Sequence, residues 1–285
     1  DYDAARNMLG GKLGKFLDNN KDSAKDLSYA LKIVINIVYG LTSAKFPNAF
    51  RDNRNVDNIV AKRGALFMID LKHAVQERGF TVAHIKTDSI KIPNATSEII
   101  DFVFEFGKKY GYDFEYEGTY DKFCLVNDAV YIARSVRHLD DTLGDEYVWT
   151  AVGAQFQHPY VFKKLFSGEE LTFDDYCETR SVVQGAMYLD FKNDPDLPIS
   201  EYVHVGRTGS FVPVHMGGGT LWRVKDDKRY AVTGTKGYTW IERDMANARE
   251  DLDIDYTYFE NLRLDAIEAI EKHGSFYDFV GRDEC

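Results

Sequence analysis

Nine residues, Lys32-Ile33-Val34-Ile35-Asn36-Ile37-Val38-Tyr39-Gly40, restrict the fold more than any other stretch of the chain. At 3.6 residues per turn, Lys32, Asn36 and Tyr39 share a narrow sector of one helix face, and isoleucines and valines cover the rest. A cation, an amide and a phenol therefore line up along one groove. The plain structural alternative is a buried helix in which Lys32 snorkels, Asn36 bonds locally, Tyr39 packs and Gly40 caps the C-terminus.

A second stretch, His84-Ile85-Lys86-Thr87-Asp88-Ser89-Ile90-Lys91-Ile92, is an apolar strand broken by a short polar turn and then resumed. This pattern predicts a β-hairpin from Phe80 to Pro93 with Asp88 at its tip. Between the two stretches, Val56 to Arg78 reads as an amphipathic helix. Its expected apolar side is Ile59, Val60, Phe67, Leu71, Ala74 and Val75, and Gly79 is its stop.

Upstream, residues 3 to 17 read as a glycine-interrupted helix carrying Arg6, Lys12 and Lys15, and a polar linker from Asp18 to Asp26 offers Ser23 or Asp26 as an N-cap. A further helix is expected from about Ser97 to Tyr110, then two or three strands from Tyr112 to Arg134. This order suits an α+β fold, an antiparallel sheet with helices on one side. Residues 159 to 187 read as mixed helical with Thr172 or Asp174 as a cap. Val203 to Trp240 reads as a small β-rich subdomain, with a tight hairpin at 234 to 240, and a last helix spans about Tyr256 to Lys272.

A chain of 285 residues can bury a substantial core. No apolar run approaches a membrane span and no basic-then-apolar leader opens the sequence, so no membrane association and a cytoplasmic location are expected. The cysteines, Cys124, Cys177 and Cys285, are far apart and lack zinc-site spacing, which fits free thiols in a reducing compartment. The net charge of −11 argues against simple phosphate binding by the whole surface. Its distribution is uneven: residues 1–64 hold 11 lysines and arginines against 7 aspartates, and the remainder holds 24 against 39 acidic residues.

The order Lys-x3-Asn-x2-Tyr-Gly, a helix, and a strand-Thr-Asp-Ser-strand hairpin resembles the family B DNA polymerases, most closely those of bacteriophages. The resemblance covers about residues 25 to 135 and implies a polymerase: a fingers segment at 1–55, half of a palm at 56–145 and a thumb-like region at 146–285. It implies template-directed deoxynucleotidyl transfer by two metal ions, Mg²⁺ or Mn²⁺, with primer-template DNA and deoxynucleoside triphosphates as partners. Asp88 would be the catalytic metal ligand. Lys32 would neutralise the triphosphate with Asn36 beside it, and Tyr39 would pack near the nascent base pair. Phe114-Glu115-Tyr116-Glu117 resembles the acidic strand that follows the metal hairpin, which places Glu115 or Glu117 near the site and makes Glu117 a second candidate metal ligand. Tyr131 and Lys236 are candidate DNA contacts, Lys236 because it sits between glycines with aromatic residues nearby.

Three departures qualify what the resemblance implies. Lys86 stands where the family has the first aspartate of Asp-Thr-Asp-Ser. Asn127-Asp128-Ala129-Val130-Tyr131 replaces a basic Lys-Lys-Arg-Tyr run, leaving only Tyr131. No Asp-x-x-Ser-Leu-Tyr-Pro-Ser strand, which carries the other catalytic aspartate, occurs in the sequence. The expectation is thus the C-terminal part of a polymerase, inactive without an N-terminal part. The alternative is a noncatalytic nucleic-acid-binding or interaction protein derived from one.

Overall fold

The computed structural model describes residues 21–138, 145–241 and 252–281, with the backbone alone at 21–25, 137–138, 145 and 233–236. The expected helix at 3–17 and Cys285 lie outside the described residues. The fold is mixed α+β with antiparallel sheets. The chain divides into two compact units, one through Glu115 and the other from Tyr116.

The first unit contains helix α1 (Lys21–Thr42), a one-turn helix α2 (Asn53–Val56), helix α3 (Ile59–Glu77), the hairpin β1 (His84–Lys86) and β2 (Ser89–Lys91), and helix α4 (Ser97–Lys109). The Val56–Arg78 helix is interrupted at Asn58, whose φ of +60° is left-handed, a conformation that asparagine adopts more readily than most residues. The restart changes the buried stripe. Met68, Leu71 and Val75 are buried with Phe67 partly so, whereas Ile59 and Val60 are exposed. Those residues pack with Ile99 and Val103 of α4, and with Ile85 and Ile90, which face each other across the hairpin. Thr96 caps α4 by accepting a hydrogen bond from Ile99 N.

Helix α1 departs most from expectation. It runs through Ser23 and Asp26, which are not caps, and past Gly40 to Thr42. Its last carbonyls are satisfied without a left-handed glycine: the Ser43 hydroxyl donates to Tyr39 O at 2.7 Å, and Asn48 Nδ2 donates to Leu41 O at 3.0 Å. Every residue from Asp26 to Gly40 is exposed, so the buried helix that was the plain structural alternative is not observed among the described residues of the first unit.

The second unit opens with a three-stranded sheet of β3 (Thr119–Asn127), β4 (Val130–His138) and β5 (Asp145–Val152). Short helices α5 (Ala154–Gln157) and α6 (Pro159–Phe162) follow. A π-turn (Lys163–Ser167) and a 3₁₀ turn (Phe173–Tyr176) complete the mixed helical segment, with Thr172 and Asp175 forming a capping box. From Glu178 the segment turns to strand, earlier than expected.

A six-stranded antiparallel sheet then forms from β6 (Glu178–Ser181), β7 (Ala186–Asp190), β8 (Val203–Gly206), β9 (Thr208–Pro213), β10 (Gly219–Lys225) and β11 (Lys228–Ile241). Its spatial order is β6-β9-β11-β10-β7-β8. Helices α7 (Tyr256–Glu271) and α8 (Phe276–Val280) close the unit. Residues 234–240 are not a hairpin. They lie inside β11, where the pairing with β10 jumps between Thr220↔Lys236 and Trp222↔Ala231, and the bulge accommodates the glycines. The larger core joins Phe156, Val161, Phe166, Phe259 and Ile270 to Ile132 of the small sheet and Val212 of the large one. Phe211, Leu189, Leu221 and Tyr238 form a separate core.

Candidate functional site

The hairpin around Asp88 is built by alternation. His84 is buried, Ile85 and Ile90 are cross-strand partners, and Lys86 pairs with Ser89, which leaves Thr87 and Asp88 as the exposed turn. Asp88 N donates to Lys86 O at 2.7 Å, closing a three-residue turn around Thr87, and the Ser89 hydroxyl donates to the same carbonyl at 3.2 Å. Thr87 has φ +53°. A β-branched residue in this region is strained by roughly 1–3 kcal/mol and persists only where its surroundings impose the conformation. Asparagine enters the left-handed region far more readily. Thr87→Asn is therefore expected to stabilise the chain by about 1 kcal/mol in denaturant unfolding; an equal loss would mean that the threonine side chain outweighs the strain.

Asp88 thus presents its carboxylate on a turn fixed by two paired strands. Lys32, Asn36 and Tyr39 are likewise exposed, at positions that share one side of α1. Both groups belong to the first unit. Glu115 is exposed at the end of this unit, and Glu117 is exposed in the second.

The acidic strand expected at 114–117 is absent: residues 112–118 have no regular structure. Phe114 is drawn instead onto Phe67 (ring centroids 6.0 Å), and Gly107 permits its approach, since a Cβ there would lie 2.7 Å from the Phe114 ring. Tyr131 is a packed residue on β4, 8% exposed, with its ring stacked on Phe123 at 5.1 Å, so little of it is open to a DNA base. Burial, and secondarily the charge of Glu117, pushes its phenol pKa up. Lys236 sits in β11 opposite Thr220, and its side chain lies outside the described residues.

Among the described residues no three His, Cys, Asp or Glu side chains converge on a metal-sized site. Asp88 is suited to be one oxygen ligand of a hard cation. Mg²⁺ commonly takes only one or two protein carboxylates and fills its shell with water and phosphate oxygens. The carboxylate fits such an ion as a single contributor.

A polar cluster around Glu178 had no signature in the sequence. Glu178 on β6 is 8% exposed and accepts a hydrogen bond from Tyr238 OH at 2.8 Å, and further bonds from Tyr258 OH and Arg180. His158 Nε2 lies 3.5 Å from the same carboxylate, an ion-pair distance when protonated but long for a hydrogen bond. Burial alone would raise the Glu178 pKa. The contacts from His158, Tyr258 and Tyr238 and the charge of Arg180 overcome burial and hold it at about 2. Because β6, β11, α7 and the His158 linker all contribute, this cluster ties the helices to the large sheet. Its residues are spread over 100 positions, and only folding brings them together.

No protein-family model matches the chain, and no curated protein is significantly similar to it. No helix among the described residues is long and apolar enough to cross a membrane.

Proposed function

We propose that the chain is part of a DNA-directed DNA polymerase of the family B, bacteriophage type, and supplies the nucleotide-binding helix and one metal-binding carboxylate of a two-metal site. The observation that carries this reading is the hairpin tip. Asp88 is solvent-exposed beside a strained Thr87, on a turn pinned by cross-strand pairs, as a metal-binding carboxylate must be both accessible and fixed.

The exposed α1 helix supports the idea of a partner polypeptide. Leu27, Leu31, Val34 and Val38 are 54%, 54%, 53% and 55% exposed, and a helix apolar on nearly all sides is stable only when other protein covers it. The proposed partner is an N-terminal polymerase part that bears the second catalytic aspartate.

In this mechanism Lys32 offers a compact ammonium to the triphosphate of the incoming nucleotide. Asn36, one turn away, orients the same group, and Tyr39 presents an aromatic face to the new base pair. Asp88 would hold a divalent cation, which when bound would supply charge neutralisation at the triphosphate. Lys236 is proposed as a DNA-side residue, whereas Glu117, which belongs to the second unit, and Tyr131, which is packed against Phe123, are assigned no role. Two-metal chemistry needs carboxylates on both ions, so the chain by itself is inactive.

Lys32→Ala in the reconstituted polymerase is expected to raise nucleotide KM or lower the rate by about 1.5–3 kcal/mol, the worth of a charge-assisted phosphate contact. Circular dichroism should remain unchanged, since Lys32 is exposed. Unaltered nucleotide kinetics would return Lys32 to an ordinary surface role.

A further inference from the structure

Asp190 ends β7 and is 2% exposed. Its Oδ1 accepts a hydrogen bond from Lys192 N at 3.0 Å, while its Oδ2 is fully buried and meets no donor among the described residues. An ionised oxygen removed from water without a partner is among the costliest arrangements in a protein interior. A bound cation would give this oxygen the partner it lacks. The Lys192 ammonium, whose side chain is 64% exposed, lies 2.6 Å from Glu201 Oε2. Glu201 is the main cause of its raised pKa, and the charges of Asp190 and Asp194 contribute less.

The groups around this carboxylate are hard oxygen donors. Thr220 is the cross-strand partner of Asp190, and its hydroxyl lies 2.8 Å from Asn193 Oδ1. Asn193, left-handed at φ +53°, bonds through Nδ2 to Gly218 O at 3.2 Å. This turn is seated against glycine backbone: a Cβ on Gly219 would lie 2.4 Å from Asp190 O. The segment that follows is held to the sheet by Arg229, which donates to Leu197 O at 2.6 Å and to Tyr202 OH at 2.7 Å. Asp190, Asp194, Asp196 and Glu201 give the segment an acidic balance against Lys192.

We propose that this turn binds a calcium ion, with Asp190 Oδ2 as the charged ligand and Asn193 Oδ1 and the Thr220 hydroxyl as neutral oxygen ligands. Ca²⁺ suits the set better than Mg²⁺ because it accepts mixed carboxylate, amide and hydroxyl oxygens in irregular geometry. One directly buried carboxylate implies weak binding, with Kd about 10⁻⁴–10⁻³ M. The ion would fasten residues 191–202 to the large sheet. This inference is independent of the nucleotidyl-transfer reading.

Terbium replaces calcium and emits when a nearby tryptophan is excited, and Trp222 lies on the same sheet face as Thr220, two residues along β10. Titrating the full chain with Tb³⁺ should give saturable sensitised emission that excess Ca²⁺ displaces, together with a Ca²⁺-dependent rise in Tm. Asp190→Asn should weaken both at least tenfold, Asn193→Ala should weaken both in part, and Asp265→Asn, an exposed aspartate on α7, should change neither. Asn193→Ala keeps the test decisive if Asp190→Asn fails to fold. The proposal is overturned if Ca²⁺ leaves Tm unchanged, if Asn193→Ala and Asp190→Asn bind as the parent does, or if Asp265→Asn alone abolishes the signal.

Discussion

Replacing Asp88 with alanine is expected to cut template-directed incorporation by on the order of a thousand-fold or more, in a complex of this chain with a polypeptide that supplies the Asp-x-x-Ser-Leu-Tyr-Pro-Ser strand. A metal ion at the reacting phosphate contributes several kcal/mol of transition-state stabilisation, and losing its carboxylate ligand forfeits most of that. The fold should survive, because Asp88 is exposed on a turn whose strands are held by Ile85, Ile90 and the α3–α4 core. Retained hairpin structure with lost incorporation, measured by primer extension and circular dichroism on the same preparation, is the expected pair of results. Full activity in Asp88→Ala would remove Asp88 from the chemistry.

The second large effect concerns stability. Glu178→Gln removes the charge at which Tyr238, Tyr258 and Arg180 converge, and breaking a buried ionic network typically costs about 3–5 kcal/mol. The same group governs acid behaviour. Its carboxyl is ordinarily near 4.5 and is held at about 2 in the fold, so the unfolded chain binds the proton more tightly. Its stabilisation is therefore complete above about pH 4.5 and is lost as pH falls from there toward 2, a contribution on the order of 3 kcal/mol. Urea unfolding of parent and Glu178→Gln should show a large gap at pH 7 that closes by pH 2 to 3. A gap that does not depend on pH would mean that the glutamate contributes through packing, not charge.

What the sequence made legible follows from how local each signal is. The Ser97–Lys109 and Tyr256–Glu271 helices rest on periodicity and caps within a dozen or so residues and formed close to their expected bounds, while the Asp88 hairpin formed around its expected turn with strands only at His84–Lys86 and Ser89–Lys91, shorter than the expected Phe80–Pro93 span. The acidic strand at 114–117 failed because its alternation competed with the pull of Phe114 into the aromatic cluster around Phe67. The 234–240 hairpin failed because glycines that permit a turn also permit a bulge, and the choice was made by the β10 strand paired alongside. Tyr131 was a candidate DNA contact by resemblance alone, and in β4 it is buried with its ring stacked on Phe123. Glu178 and Asp190 were invisible for a different reason. Their importance lies in burial, which no neighbouring residue in the sequence discloses.

Helix α1 shows the converse. Its composition called for burial, and the remaining residues of its unit leave it exposed from Asp26 to Gly40. That mismatch is resolved if another polypeptide covers α1 and completes the active site, which makes complementation the most direct measurement of the account. The chain is purified alone and again after co-expression with a polypeptide carrying the Asp-x-x-Ser-Leu-Tyr-Pro-Ser strand, and each preparation is given primed template, Mg²⁺ and single deoxynucleoside triphosphates. The account predicts no extension by the chain alone, and addition of the template-directed base by the complex with α1 protected from hydrogen exchange. A stable complex that protects α1 but adds no nucleotide, or template-directed extension by the chain alone, would contradict it.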